Sequence, residues 1–194
     1  MMYMRKIGKI FPCLLVYISI IFYLAGSVLA ASKPAVDSSL PKLLFKTPAL
    51  EEDRSYLGIG SAETFSIDQI NYDLLLIEVI GVYCPQCQVQ APLFNDLFSR
   101  IRKRSDTSER IKMLAIAAGA NPTEVSYLKK QFKIPYPVIR DPGFEIHKLL
   151  GEPKTPFIMI VTKSEKVIFA HLGIIKNIDT FYLQIQNFLQ KVNE

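Results

Sequence analysis

Cys84 and Cys87, separated only by Pro85 and Gln86, are the residues of this chain best suited to chemistry. A structural disulfide stabilises most when it closes a long loop, because it then removes more entropy from the unfolded chain. A pair this close closes almost nothing, so it makes a poor staple and a good switch. One sulfur can attack a foreign disulfide and the other can resolve the mixed disulfide that forms. A zinc site would need two further ligands. The chain has only two histidines, His147 and His171, and neither is near the pair in sequence. Thiol–disulfide exchange therefore ranks above metal binding, and no metal ligand set is assigned.

The elements around the pair favour the same chemistry. Leu74 to Val82 is an almost unbroken apolar run, the pattern of a strand buried on both faces. Cys84 then stands at the start of a helix whose apolar residues Val89, Leu93, Leu97 and Ile101 recur every four positions. At a helix start, unpaired backbone N–H groups and the positive end of the dipole favour thiolate over thiol. Pro85 suits the first helical position, where no N–H is needed. The apolar stripe continues past Pro92, which argues for a kink there rather than a helix end. Glu78 is the only charge between Leu74 and Cys84. It is either a strand-end residue that reaches water or a buried acid beneath the cysteines. Burial would raise its pKa and fit it to relay a proton to or from Cys87.

Further along, Lys112 to Ala118 reads as a second buried strand. A helix capped by Asn121, with Pro122 and Glu124 in its first turn, runs to about Phe132. Pro137 to Arg140 is extended, and Asp141-Pro142-Gly143 is turn chemistry. Phe144 to Leu150 is a short helix closed by Gly151. Phe157 to Val161 and Val167 to Leu172 form a hairpin. Asp179 or Thr180 caps a last helix to about Val192, with Phe181, Ile185 and Phe188 inward. Asp53 to Ser66 is expected as a short hairpin bent near Gly58 and Gly60. The order implies an α/β fold in which helical crossovers give parallel strands and the late hairpin adds antiparallel ones, so the sheet is mixed. His171 shares a strand face with Phe169, and His147 is expected at the surface.

The N-terminus sets the compartment. Arg5, Lys6 and Lys9 precede an apolar run from Ile10 to Leu29 that ends in Val28-Leu29-Ala30-Ala31. A charged start, an apolar middle and a small-residue end read as a secretory signal, residues 1–30. The run is also close to the roughly 20 residues that span a bilayer, so an uncleaved anchor is the alternative. Either way the rest of the chain is expected outside the cytoplasm, in the periplasm or on the outer face of a membrane. Cys13 lies within this segment, which leaves Cys84 and Cys87 as the cysteines of the exported part. Residues 31–52 read as a tether and 53–194 as the domain. Without residues 1–30 the net charge falls from +5 to +2, so the basic balance gives no argument for a nucleic-acid partner.

From Phe65 onward the chain resembles the thioredoxin superfamily, and more narrowly its exported redoxin or TlpA-like branch. The resemblance rests on several features. They are the strand and turn Ile77 to Cys87, Pro92 five residues after Cys87, Thr155-Pro156 before a buried strand, and Gly173 after the hairpin. The stretch Asn121 to Phe132 with Tyr136-Pro137-Val138 and Asp141-Pro142 resembles the extra β/α insert of the redoxin branch. The resemblance implies a thioredoxin fold with a central mixed sheet flanked by helices. It also implies a cis peptide at Pro156, with the Thr155 backbone beside Cys84 ready to pair with a substrate strand. Glu78, six residues before Cys84, matches the family's buried carboxylate. Tyr83 stands where the family usually has Trp, and Pro85-Gln86 differs from the common thioredoxin pair.

The function so implied is a thiol–disulfide oxidoreductase with Cys84 as nucleophile, Cys87 as resolving cysteine and Glu78 as proton relay. Tyr83, Pro85, Gln86, Thr155 and Pro156 would form the substrate surface. It would need no cofactor beyond the cysteine pair. Its partners would be exported proteins with disulfides or thiols, apocytochromes c among them, and a membrane thiol electron donor, because such compartments are oxidising. The same fold run as an oxidant or isomerase is the alternative. A thiol peroxidase fits less well, because Gly81 stands where that family keeps Thr or Ser. A copper chaperone of this fold uses a wider cysteine spacing and a nearby histidine.

Overall fold

The computed structural model describes residues 32–192. The expected signal segment, with Cys13, lies outside the described residues. In chain order the elements are β1 (Leu44–Lys46), α1 (Glu51–Leu57), β2 (Thr64–Ser66), a 3-10 turn (Ile67–Gln69) and β3 (Leu74–Gly81). There follow α2 (Pro85–Lys103), β4 (Ile111–Ala118), α3 (Pro122–Phe132), β5 (Val138–Asp141) and α4 (Glu145–Leu149). The chain ends with β6 (Phe157–Thr162), β7 (Val167–Leu172) and α5 (Ile178–Lys191).

A five-stranded sheet runs in the order β5-β4-β3-β6-β7. β3 pairs parallel with β4, and β4 parallel with β5, because helical crossovers join them. β6 pairs antiparallel with β3 and with β7, closing the hairpin. The sheet is mixed, as the sequence pattern implies. Its central strands are apolar on both faces because both faces are covered. Leu74, Leu76 and Ile80 pack toward Phe94, Leu97 and Ile101 of α2 and Phe181 and Ile185 of α5. Leu75, Ile77 and Val79 pack the other way, against Leu43, Phe45, Leu57, Phe65 and Ile146. Strand alternation puts Glu78 on the face of Leu76 and Ile80, toward α2.

Several expectations are corrected. No hairpin spans Asp53–Ser66. Residues 51–57 form α1, which Gly58 ends in the left-handed region at φ 70°. Thr64–Ser66 pairs back onto Leu44–Lys46. The residues expected as a tether are therefore built into the domain: Leu40, Leu43 and Phe45 are buried, and Ser39 bridges to Lys166. The inward stripe of α2 is Cys87, Gln90, Ala91, Phe94, Leu97 and Ile101, while Val89 is 58% exposed. Steps of four overshoot a 3.6-residue turn by about 40° each, so the true stripe alternates threes and fours. Asn177, rather than Asp179 or Thr180, caps α5 by accepting the Thr180 N–H at 2.9 Å. Phe188 is half-buried beside the buried Leu189.

Candidate functional site

The site lies where β3 runs into α2. Cys84 is the N-cap of α2, Pro85 is its first residue, and the helix continues unbroken through Pro92 to Lys103. No acidic side chain occupies the first turn, so the positive end of a 19-residue helix acts on the sulfur without opposition. The Cys87 N–H donates to Cys84 Sγ at 3.1 Å. Cys84 and Cys87 are joined as a disulfide with Cα atoms 5.3 Å apart. Cys84 is half-exposed and Cys87 is buried. One sulfur is thus open to a partner and the other is sheltered behind it.

Facing them is the loop before β6. The Thr155-Pro156 peptide is cis, and the Thr155 carbonyl oxygen lies 3.5 Å from Cys84 Sγ. The Pro156 carbonyl accepts the Gly173 N–H at 2.8 Å, tying this loop to the end of β7. An open groove of about 970 Å³ runs beside the disulfide, lined by Cys84, Pro85, Gln86, Thr155, Leu172 and Gly173 among others. A second depression, of about 370 Å³, adds Tyr83 and Gly119. Phe144 borders both. Tyr83 is 84% exposed, and Phe144 and Leu172 are also exposed. Large apolar side chains left in water around one groove mark a surface for another molecule.

Glu78 is fully buried under α2, so it does not reach water at a strand end. The Tyr136 hydroxyl donates to its Oε2 at 3.1 Å. Burial pushes the Glu78 carboxyl up to about 8, and the Tyr136 hydrogen bond opposes that rise. Burial and the neighbouring carboxylate push the Tyr136 hydroxyl well above its ordinary value. Glu78, Tyr136, Cys87 and Ala91 line one small cavity with about 10 Å³ of room, at the lower bound for a single water.

The structure thus gathers Glu78, Tyr83, Cys84, Pro85, Gln86, Cys87, Thr155 and Pro156 in one region. Sequence reasoning missed Tyr136 as the partner of Glu78; it gave no signal beyond its place in the insert. It also missed Gln90, which is fully buried and accepts the Ile175 N–H at 2.9 Å, fixing the segment after Gly173 to α2. A correctly phased helical stripe exposes that residue as the polar member of an apolar set. His147 is half-buried at the groove; its Nε2 lies 3.0 Å from the Pro153 carbonyl oxygen. His171 stacks on Phe169. Among the described residues no three of His, Cys, Asp or Glu converge as a metal-ligand set.

Comparison with solved structures places this geometry. A putative thiol:disulfide interchange protein DsbE from Chlorobium tepidum superposes with a TM-score of 0.63 at 14% identity, over 81% of this chain and 99% of that one. StoA from Bacillus subtilis does so with a TM-score of 0.55 at 17% identity, over 78% of this chain and 99% of that one. The chain has a thioredoxin fold. Among curated proteins, this thioredoxin-fold chain is similar to the thiol-disulfide oxidoreductase ResA of Bacillus thuringiensis and of Bacillus cereus. Each is 27% identical over 112 residues, which make up 58% of this chain and 59% of the relative. The chain thus spans less than two thirds of those relatives. No family model matches it.

Proposed function

We propose that the chain catalyses thiol–disulfide exchange outside the cytoplasm, reducing disulfides of exported proteins. The observation that carries this is the asymmetric pair. Cys84 Sγ is open at the helix start and receives the Cys87 N–H, whereas Cys87 is buried one turn behind it. In the reduced enzyme, Cys84 thiolate attacks one sulfur of a substrate disulfide. The other substrate sulfur leaves as thiolate and takes a proton. Cys87 then loses its proton to the ionised form of Glu78 and attacks Cys84 Sγ, which expels the second substrate sulfur as a thiolate that takes up a proton, and leaves the Cys84–Cys87 disulfide. Two electrons pass to the substrate, and a membrane thiol donor restores the dithiol. Thr155 and the cis Pro156 would hold the substrate backbone beside Cys84, with Tyr83, Pro85 and Gln86 as its bed. Residues 1–30 would export the chain or anchor it at the membrane. Apocytochromes c, whose haem-binding cysteines must be reduced, belong to the substrate class.

The test is the reduction potential of the pair, by equilibration in defined thiol buffers. A value near about −270 mV or lower supports the reductase. A value near about −120 mV makes the protein an oxidant, and the absence of any reversible transition overturns the redox reading.

A further inference from the structure

Much of the net positive charge of this domain borders one groove whose lining does not include the cysteines. With Arg5, Lys6, Lys9 and Glu194 set aside as outside the described residues, the +5 of the chain becomes +3. A groove of about 620 Å³ between the segment after β1, helix α3 and strand β5 is bordered by Lys46, Lys129, Lys130, Lys133 and Arg140, with Asp53 as its one acid. That rim alone nets +4, so the remainder of the described domain is slightly acidic. The groove shares no lining residue with the two depressions beside Cys84 and meets the small cavity under Glu78 and Cys87 at Ile134.

Among the described residues, two of its five cations are paired and three are not. Lys129 is paired with the buried Asp53, 2.7 Å from both carboxylate oxygens, and Lys46 with Glu63 at 3.1 Å. Lys130, Lys133 and Arg140 have no ion-pair partner among the described residues. A helix C-terminus attracts cations, which accounts for Lys130 and Lys133 at the end of α3. It does not account for Arg140, which comes from β5, a separate element. Like charges brought together from two elements repel unless an anion lies between them. The floor is apolar, made by Pro48, Leu50, Val125, Ile134 and Val138. An apolar concavity of this size with a few convergent polar groups is the usual form of a small-molecule site.

We propose that this groove binds a small amphipathic organic anion, its apolar body on that floor and its acid group between Lys130, Lys133 and Arg140. Binding there does not require the thiol chemistry.

The experiment uses the full chain in nanodiscs of zwitterionic phosphatidylcholine, titrated calorimetrically with 2-naphthoate and with its uncharged amide, 2-naphthamide. One naphthoate per chain is expected, bound about tenfold more tightly than the amide in about 0.01 M salt, with the gap closing near 1 M as screening shortens to about 3 Å. The combined charge reversal Lys130→Glu, Lys133→Glu and Arg140→Glu should remove that gap. Ser126→Trp, an exposed change on the groove wall that keeps every charge, should weaken both ligands. Circular dichroism melts verify that each variant is folded. Equal affinity for acid and amide overturns the proposal, as does a folded charge-reversed chain that still prefers naphthoate. If the charge-reversed chain does not fold, an unchanged naphthoate affinity in Ser126→Trp overturns it.

Discussion

Glu78 and Tyr136 show how a single buried pair couples chemistry to stability. Between the ordinary carboxyl value of 4.5 and about 8, folded Glu78 keeps a proton that the unfolded chain releases. Its contribution to stability is therefore complete below that window and is lost as pH rises through it. The loss is on the order of a few kcal/mol. Glu78→Gln should flatten the melting temperature across this window, where the wild-type value falls, as followed by circular dichroism. The same variant should slow disulfide exchange by about 10²-fold in an insulin-reduction assay while Cys84 still forms a mixed disulfide. Tyr136→Phe removes the donor that steadies the charged carboxylate, so the midpoint of the pH dependence should move up from about 8. Glu78 could be singled out in sequence because one charge in an apolar strand must be explained. Tyr136 could not, because its role depends on a contact 58 residues away in the chain.

At the scale of elements, β3, β4, α2, α3 and the β6–β7 hairpin were legible because their apolar periods or caps are local. The phase of α2 was not, because a short count in fours and a true helical stripe agree only at Leu97 and Ile101. The short elements before β3 were missed because their partners are remote or their apolar pattern is brief. A second feature that sequence conceals is the meeting of the turn after β4 with the start of α4. Gly119 has φ 76° and Phe144 has φ 56°, and a Cβ on Gly119 would collide with the Phe144 ring. An aromatic residue in the left-handed region costs about 1–3 kcal/mol and persists only where its surroundings impose it. Gly119→Ala should therefore destabilise the fold by more than about 1 kcal/mol, read from urea unfolding, and displace the Phe144 ring from the edge of the groove.

For the whole molecule, the segment before α1 is structural cladding over one face of the sheet. Phe45 is fully buried and stacks on Phe65 at 5.3 Å, so Phe45→Ala should cost about 3–5 kcal/mol in urea unfolding. Removing residues 32–52 should abolish a cooperative melt, since Leu40, Leu43 and Phe45 leave together. That segment also fixes where the chain enters the domain. The Asp37 N–H donates to the Val167 carbonyl, the Val167 N–H donates to Ser38, and the Leu40 N–H donates to Glu165. All three bonds lie at the β6–β7 turn, whereas Thr155 and the sulfurs lie at the other end of β6. The two ends are separated by about 20 Å of strand. Residues 37–40 and the disulfide therefore lie at opposite ends of β6, so the segment that clads the sheet leaves the approach to Cys84 clear.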